Sequence, residues 1–288
     1  MKKKILIAGI SILMLAGLSL LLYPLVSNTW NNYRQKQLIA TYEDKVAVAE
    51  ENGQIDYSQE LTKANAYNSD LLPSILPDSF AVAEASEDEG YLSCLNLDGD
   101  GTMGTVQIPK IGITLPIYHG TDEEVLKIGV GHLEGSSLPV GGENTHAVLS
   151  AHRGLPSASL FTDLDLLEIG DRFYLHVLDE TLAYEVDQIL VVEPEQTEAL
   201  AVEEGQDLVT LFTCTPYGVN TQRLLVRGHR VAYEEGMIED DEVPLAAYSL
   251  HTNYMFWVLV GLSVTGAFIL VLFLIDRRLT QKKNAKAK

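Results

Sequence analysis

The sequence predicts a mainly β fold: a closed barrel with short helices, preceded by a helical and loop-rich segment and bracketed by two transmembrane helices. Three observations predict it. Two uncharged apolar runs of 22 residues, Ile5 to Val26 and Tyr254 to Ile275, stand near the two ends of the 288-residue chain. From Gly104 onward, short apolar runs of strand length are separated by turn residues, with few helical stretches between them. That pattern belongs to a barrel more than to an α/β sheet. Basic residues cluster outside the apolar runs, and acidic residues fill the body between them.

The elements follow in order. Residues 1–4 hold Lys2, Lys3 and Lys4 and read as a cytoplasmic tail, because basic residues stay on the cytoplasmic side of a membrane. Residues 5–26 are the first apolar run. A helix of that length reaches about 33 Å, enough for a hydrocarbon core of about 30 Å. A cleaved signal segment is the competing reading, but the run is longer than a signal core and no clear A-x-A site follows. Pro24, near its outer end, marks a place where the helix can break. Residues 27–72 are a helical lead-in, with Leu38, Tyr42, Val46 and Ala49 spaced by 4, 4 and 3 and Gly53 as the break between two helices. Residues 73–103 begin with Pro73 and Pro77, contain Glu87-Asp88-Glu89, and read as a loop region.

Residues 104–233 form the barrel. Its candidate strands are Val106 to Ile108, Ile113 to Tyr118, His146 to Ser150, Arg172 to Leu178, Leu182 to Val192, Leu208 to Thr213 and Arg223 to Val231. Turns such as Val140-Gly141-Gly142-Glu143-Asn144 separate them, and helical stretches are expected around Glu123 to Lys127 and Ala158 to Leu167. Residues 234–253 form an acidic juxtamembrane linker, 254–275 the second transmembrane helix, and 276–288 a basic cytoplasmic tail.

The formal charge of −20 hides an asymmetry. Nine of the 20 cations lie in the two tails, so the body from Ser27 to Asn253 has 11 cations against 39 anions, a net −28. Both tails therefore read as cytoplasmic and the body as extracytoplasmic. So acidic a body argues against nucleic acid as a partner. A hydrophobic content of 47 % excludes general disorder. Two cysteines exclude a disulfide-dense scaffold and a cysteine-based metal centre, and no cofactor or metal is expected.

Cys214 ends the strand-like run Leu208 to Thr213 and meets a Pro-Tyr-Gly turn, which places a thiol beside a loop. On composition alone a bridge to Cys94 competes with a nucleophilic role. Nucleophilic use needs a base or cation to hold the thiolate and a donor for the oxyanion. His152 follows another strand-like run and precedes a turn; Arg223 lies nine residues after Cys214, a spacing that suits neighbouring strands of a hairpin. His119 and His132 sit in Gly-flanked turns, and the remaining histidines have bland placements. Asn96-x-Asp98-x-Asp100-Gly101 mimics the start of a calcium loop, but Gln107 stands where a bidentate Glu belongs, so it reads as a polar turn.

The blocks Thr210-Leu211-Phe212-Thr213-Cys214-Thr215-Pro216-Tyr217-Gly218 and Asn220 to Gly228, together with Val148 to Pro156, resemble the sortase family. Gln107 to Ile111, Leu115 to Gly120 and Gly131 to Pro139 extend the resemblance over about Leu95 to Tyr233, and the two-anchor layout is nearest to class C, the pilin-polymerising sortases. The resemblance implies an eight-stranded β-barrel and a cysteine transpeptidase acting on an LPXTG-type sorting signal. In that reading Cys214 is the nucleophile, His152 the general acid, and Arg223 holds substrate and developing negative charge. The implied partners are pilin subunits with an acceptor lysine, at the cell membrane. The Cys94–Cys214 bridge loses its appeal, since it would consume the nucleophile.

Class C sortases also carry a lid with an Asp-Pro-aromatic motif. The corresponding stretch here is Pro77-Asp78-Ser79-Phe80. By resemblance Asp78 pairs with Arg223 and Phe80 covers Cys214, while Ser79 in place of Pro removes a φ constraint and implies a looser lid. The alternatives are a housekeeping sortase that attaches proteins to the cell-wall precursor and a non-catalytic membrane-anchored assembly protein.

Overall fold

The computed structural model describes residues 2–52, 57–71, 76–82, 84–97, 99–241 and 254–286. The chain divides into two compact units, residues 1–23 with 244–288 and residues 24–243. The expected break at Gly53, the start of the loop region at 73–75 and most of the acidic linker lie outside the described residues.

Helix α1, Lys2–Asn52, runs through Pro24 without interruption. Pro24 is tolerated without a break. One lost N–H···O bond is tolerated in an apolar helix, where the remaining backbone bonds have no water to compete with them. Near the start of the chain α1 is long and apolar enough to cross a membrane. Among the described residues, one helix is thus suited to membrane anchoring by length and composition.

The second unit is a closed barrel of eight strands. They are β1 Thr102–Ile108, β2 Ile113–His119, β3 Val130–His132, β4 Thr145–Ser150, β5 Arg172–Val177, β6 Glu180–Val192, β7 Asp207–Thr215 and β8 Gln222–Val231. Their order around the barrel is β1-β2-β3-β4-β7-β8-β6-β5, and β5 pairs with β1 to close it. The pairs β2–β3 and β4–β7 are parallel and the rest antiparallel. Closure removes the unpaired edges that an open sheet would present.

Strand alternation sorts the side chains into two layers. Ala147 and Leu149 of β4, Val209 and Leu211 of β7, and Leu224 and Val226 of β8 belong to the main core, with Phe173, Leu175 and Tyr184. Their alternates Val148, Phe212 and Leu225 belong to a second cluster with Leu76, Leu133 and Leu200. The outer face of β4, β7 and β8 is therefore also covered, by the segment around Leu76 to Phe80 and by the β6–β7 connection.

Helix α2, Tyr57–Asp70, buries Ala64 and packs Leu61 and Tyr67 on the main core. The buried residues of the second half of α1 are Gln35, Ile39, Tyr42 and Val46, with Leu38 only half-buried. The Tyr42 hydroxyl donates to the Met103 carbonyl (3.3 Å) and accepts from the Leu178 amide (3.0 Å). Short helices α3 (Glu89–Leu92), α4 (Glu123–Leu126) and α5 (Met237–Asp241) complete this unit; the last residues described, Tyr254–Lys286, form α6. The apolar stretch identified within α6 is the shorter Val258–Val271.

Two expectations are corrected. His119 ends β2 and His132 ends β3, so neither lies in a turn. This three-residue strand is too short to show alternation, and it depends on Gly131, where a Cβ would collide with the Gly120 carbonyl oxygen. Ala158 to Leu167 is not a helix beyond a 3-10 turn at Leu164–Leu166. Leu160 adopts φ +41°, which no α-helix can carry through.

Candidate active site

Cys214 and Arg223 are directly opposed residues of the β7–β8 hairpin, as their spacing in the sequence suggests. On the other side of β7, parallel pairing sets Ser150 of β4 against Phe212. The ladder continues past the strand end: the Ala151 amide donates to the Phe212 carbonyl (3.1 Å) and the Thr213 hydroxyl to the Ala151 carbonyl (2.7 Å). His152 stands two residues beyond Ser150 and Cys214 two beyond Phe212. His152, Cys214 and Arg223 thus come from the same end of three neighbouring strands.

The segment at Asp78 to Phe80 covers this end. Asp78 accepts two hydrogen bonds from Arg223, Nε to Oδ1 at 2.9 Å and Nη2 to Oδ2 at 2.6 Å, and only about a tenth of either side chain is exposed (10 % and 11 %). Such a bidentate pair is both strong and orienting. The Phe80 ring lies 5.3 Å from the His152 ring and 5.9 Å from Phe212, with the Arg223 guanidinium carbon 5.4 Å from its centre. Its ring contacts are therefore with His152, Phe212 and Arg223, the last of them directly opposite the buried Cys214.

Ser79 is fully buried, and its hydroxyl is 2.8 Å from that of Ser150. A proline at this position could not make that bond. One turn earlier, the Thr197 hydroxyl on the β6–β7 connection donates to the Leu76 carbonyl (2.7 Å). These two contacts supplement the ion pair, and spacing alone signalled neither.

Electrostatics define the resting state. Burial pushes the Cys214 thiol up; Arg223 opposes this and Asp78 adds to it. Burial pushes the His152 imidazole down, with Glu123 opposing and Lys127 reinforcing. Both shifts favour the uncharged forms, thiol and imidazole, in the covered site. Hydrogen bonding to Asp78 raises Arg223 further, so its charge is permanent.

The other candidates have structural duties. Cys94 is a free, buried thiol against the Gly90 carbonyl (3.3 Å), and Cys214 is free as well. The His132 ring bridges the Tyr91 hydroxyl (2.9 Å) and the Ser137 carbonyl (2.8 Å). His146 bridges the Ala201 carbonyl and the Thr210 hydroxyl, both at 2.8 Å. Asn96 and Asp100 accept from the Gly101 and Thr102 amides, as turn residues do. Among the described residues no group of three or more His, Cys, Asp or Glu side chains is placed to hold a metal ion.

The geometry agrees with what comparison with known proteins finds. The family model described as "Sortase domain" matches residues 106–231. Sortase D of Bacillus subtilis is 34 % identical over 131 residues, 44 % of this chain and 63 % of that protein. The chain thus spans about six tenths of the length of the curated relatives it matches first. Among solved structures, sortase C-1 of Actinomyces oris is 47 % identical, with 62 % of this chain and all of that one covered at a TM-score of 0.59. Sortase C of Streptococcus pneumoniae is 45 % identical, covering 68 % of this chain and 97 % of that one at a TM-score of 0.61. A closed eight-stranded barrel, the matching domain and these identities to sortase C structures lead to one conclusion: the chain belongs to the sortase family, on its class C side.

Proposed function

We propose that the protein is a membrane-anchored cysteine transpeptidase that joins pilin subunits. The observation that carries this reading is the arrangement of Cys214 opposite Arg223, with His152 two residues beyond the end of the adjacent parallel strand. In the proposed reaction Cys214, once uncovered, passes its thiol proton to His152, and the thiolate attacks the carbonyl between Thr and Gly of an LPXTG-type sorting signal. The carbonyl electrons move onto oxygen, where Arg223 supplies a fixed positive charge. The tetrahedral intermediate collapses, expelling the glycine amine, which takes a proton from His152, and leaves a thioester on Cys214. A pilin lysine amine then attacks the thioester, gives a proton to His152 and releases the thiolate as an isopeptide forms.

The covered resting state favours polymerisation over housekeeping attachment. Asp78 occupies two donors of the arginine that the reaction needs, and Phe80 lies on the imidazole. An enzyme so covered acts only after this segment moves aside. The Streptococcus pneumoniae relative is described in connection with pilin substrate specificity, and that description supports the same substrate class here. The topology we propose has two spans, 5–26 and 254–275, both tails cytoplasmic and the barrel outside, which confines enzyme and membrane-bound substrates to one layer.

The decisive experiment incubates the full chain in detergent with a sorting-signal peptide and an amine. A thioester adduct on Cys214, absent in Cys214→Ala and resolved by the amine, is expected in mass spectra. Peptide binding without any adduct would favour the non-catalytic alternative.

A further inference from the structure

Arg153 follows His152 in the chain, and the reaction above gives it no role. Yet it is only 9 % exposed, and long charged side chains are seldom buried unless fully partnered. Its Nε donates to the Thr162 carbonyl (3.0 Å), its Nη1 to the Thr215 hydroxyl (3.2 Å), and its Nη2 pairs with Asp165 at 2.5 Å. The guanidinium carbon also lies 5.9 Å from the centre of the Tyr217 ring. Two of these partners belong to the loop after His152. The other two, Thr215 and Tyr217, belong to the end of the Cys214 strand and the turn that follows it.

The His152 ring itself has no hydrogen-bond partner among the described residues; its recorded ring contact is with Phe80. When the lid leaves, that contact goes with it. What then holds His152 is its backbone, through the Phe161 amide on its carbonyl (3.1 Å) and through its neighbours. Arg223 differs from Arg153 in this respect, because two of its bonds are to the lid. None of the Arg153 contacts is.

We propose that Arg153 is a positioning residue that fixes His152 relative to Cys214 once the lid has opened, by tying the loop after the histidine to the residue after the cysteine. A planar guanidinium suits the task because its donors form a rigid fork, which a lysine lacks. The Thr215 link is the part of the clamp that spans the two catalytic strands. The inference rests on the reading of His152 and Cys214 as a working pair, but its test does not need the sorting peptide.

The test is the pH profile of Cys214 alkylation by iodoacetamide, with full chain in detergent, a Phe80→Ala background to expose the thiol, and labelling assigned by peptide mapping. His152→Ala moves this profile if the pair is coupled. Arg153→Met is expected to move it half or more of the way to the His152→Ala profile, and to add little when combined with His152→Ala. Thr215→Val, which leaves Arg153 in place and removes only the link between strands, is expected to move it in the same direction by less. Should Arg153→Met fold poorly, Thr215→Val alone carries the test. Arg153→Met and Thr215→Val profiles that both coincide with the parent overturn the proposal, and so does a His152→Ala profile that does. Failure of the sorting peptide to acylate Cys214, with these shifts present, would count against the transpeptidase reading and leave the clamp standing.

Discussion

Arg223 has five N–H donors, and in the covered state all of its recorded bonds are to Asp78 or to the carbonyls of Asn220 and Gln222. Removing the Asp78 charge changes Cys214 in a predictable direction. Burial raises the thiol, Arg223 lowers it and Asp78 raises it, so Asp78→Asn deletes an anion and releases a cation at once. Both changes favour thiolate. Alkylation of Cys214 at neutral pH should quicken by about 3- to 10-fold, since one pKa unit is about tenfold in thiolate. An unchanged rate would mean that the ion pair does not govern the thiol. Phe80→Ala should quicken the reaction too, by uncovering the site; a rate equal to the parent would remove its lid role. The residue pair Asp78 and Arg223 was legible in the sequence through the family resemblance. The Ser79–Ser150 bond was not, because it joins residues 71 apart whose hydroxyls carry no pattern.

At the scale of elements, the proposed lid is held by more than its ion pair. The Thr197 hydroxyl on the β6–β7 connection bonds the Leu76 carbonyl, so displacing the lid disturbs that connection as well. Thr197→Val keeps the shape of the side chain and leaves the buried carbonyl without its donor, a loss of about 1–3 kcal/mol. We expect faster Cys214 labelling in this variant with the barrel intact by circular dichroism; labelling at the parental rate would uncouple the two elements. The strand β3 makes a different point. Periodicity cannot announce three residues, and what makes them a strand is the close approach of β2, β3 and the Gly120 turn. Gly131→Ala forces a Cβ against the Gly120 carbonyl. It should destabilise the barrel by about 1–3 kcal/mol, read as a lower denaturant midpoint, whereas an unaltered midpoint would show that the turn can yield. The longer strands β6, β7 and β8 were legible because their alternation is long enough to count.

For the molecule as a whole, the buried histidines set an acid limit. Burial pushes His132 down to about 4 from its ordinary 6.5, and burial also lowers His119, His146 and His176. A histidine lowered in the folded state binds its proton more readily when unfolded. Its contribution is therefore complete above about pH 6.5 and is lost as pH falls toward 4. For His132 alone the loss by pH 5 is about 2 kcal/mol. Thermal melting temperature should drop on acidification from pH 7 to 5, and His132→Asn should flatten that dependence. A slope unchanged in the variant would assign the effect elsewhere.

Some of this protein was determined by sequence alone. Apolar runs and their basic flanks depend on local composition, as do the long strands, and the candidate catalytic residues lie in contiguous blocks. Each of these is a short-range property, and short-range properties survive in a string of letters. Only the tertiary structure decided the closure of eight strands in the order β1-β2-β3-β4-β7-β8-β6-β5, the covered outer face, the bonds at Ser79 and Thr197, and the contacts of Arg153. Those depend on which side chains meet across 60 to 150 residues of chain. A hydrogen bond of that reach leaves no periodic trace, because its two ends obey the packing of different segments of the chain.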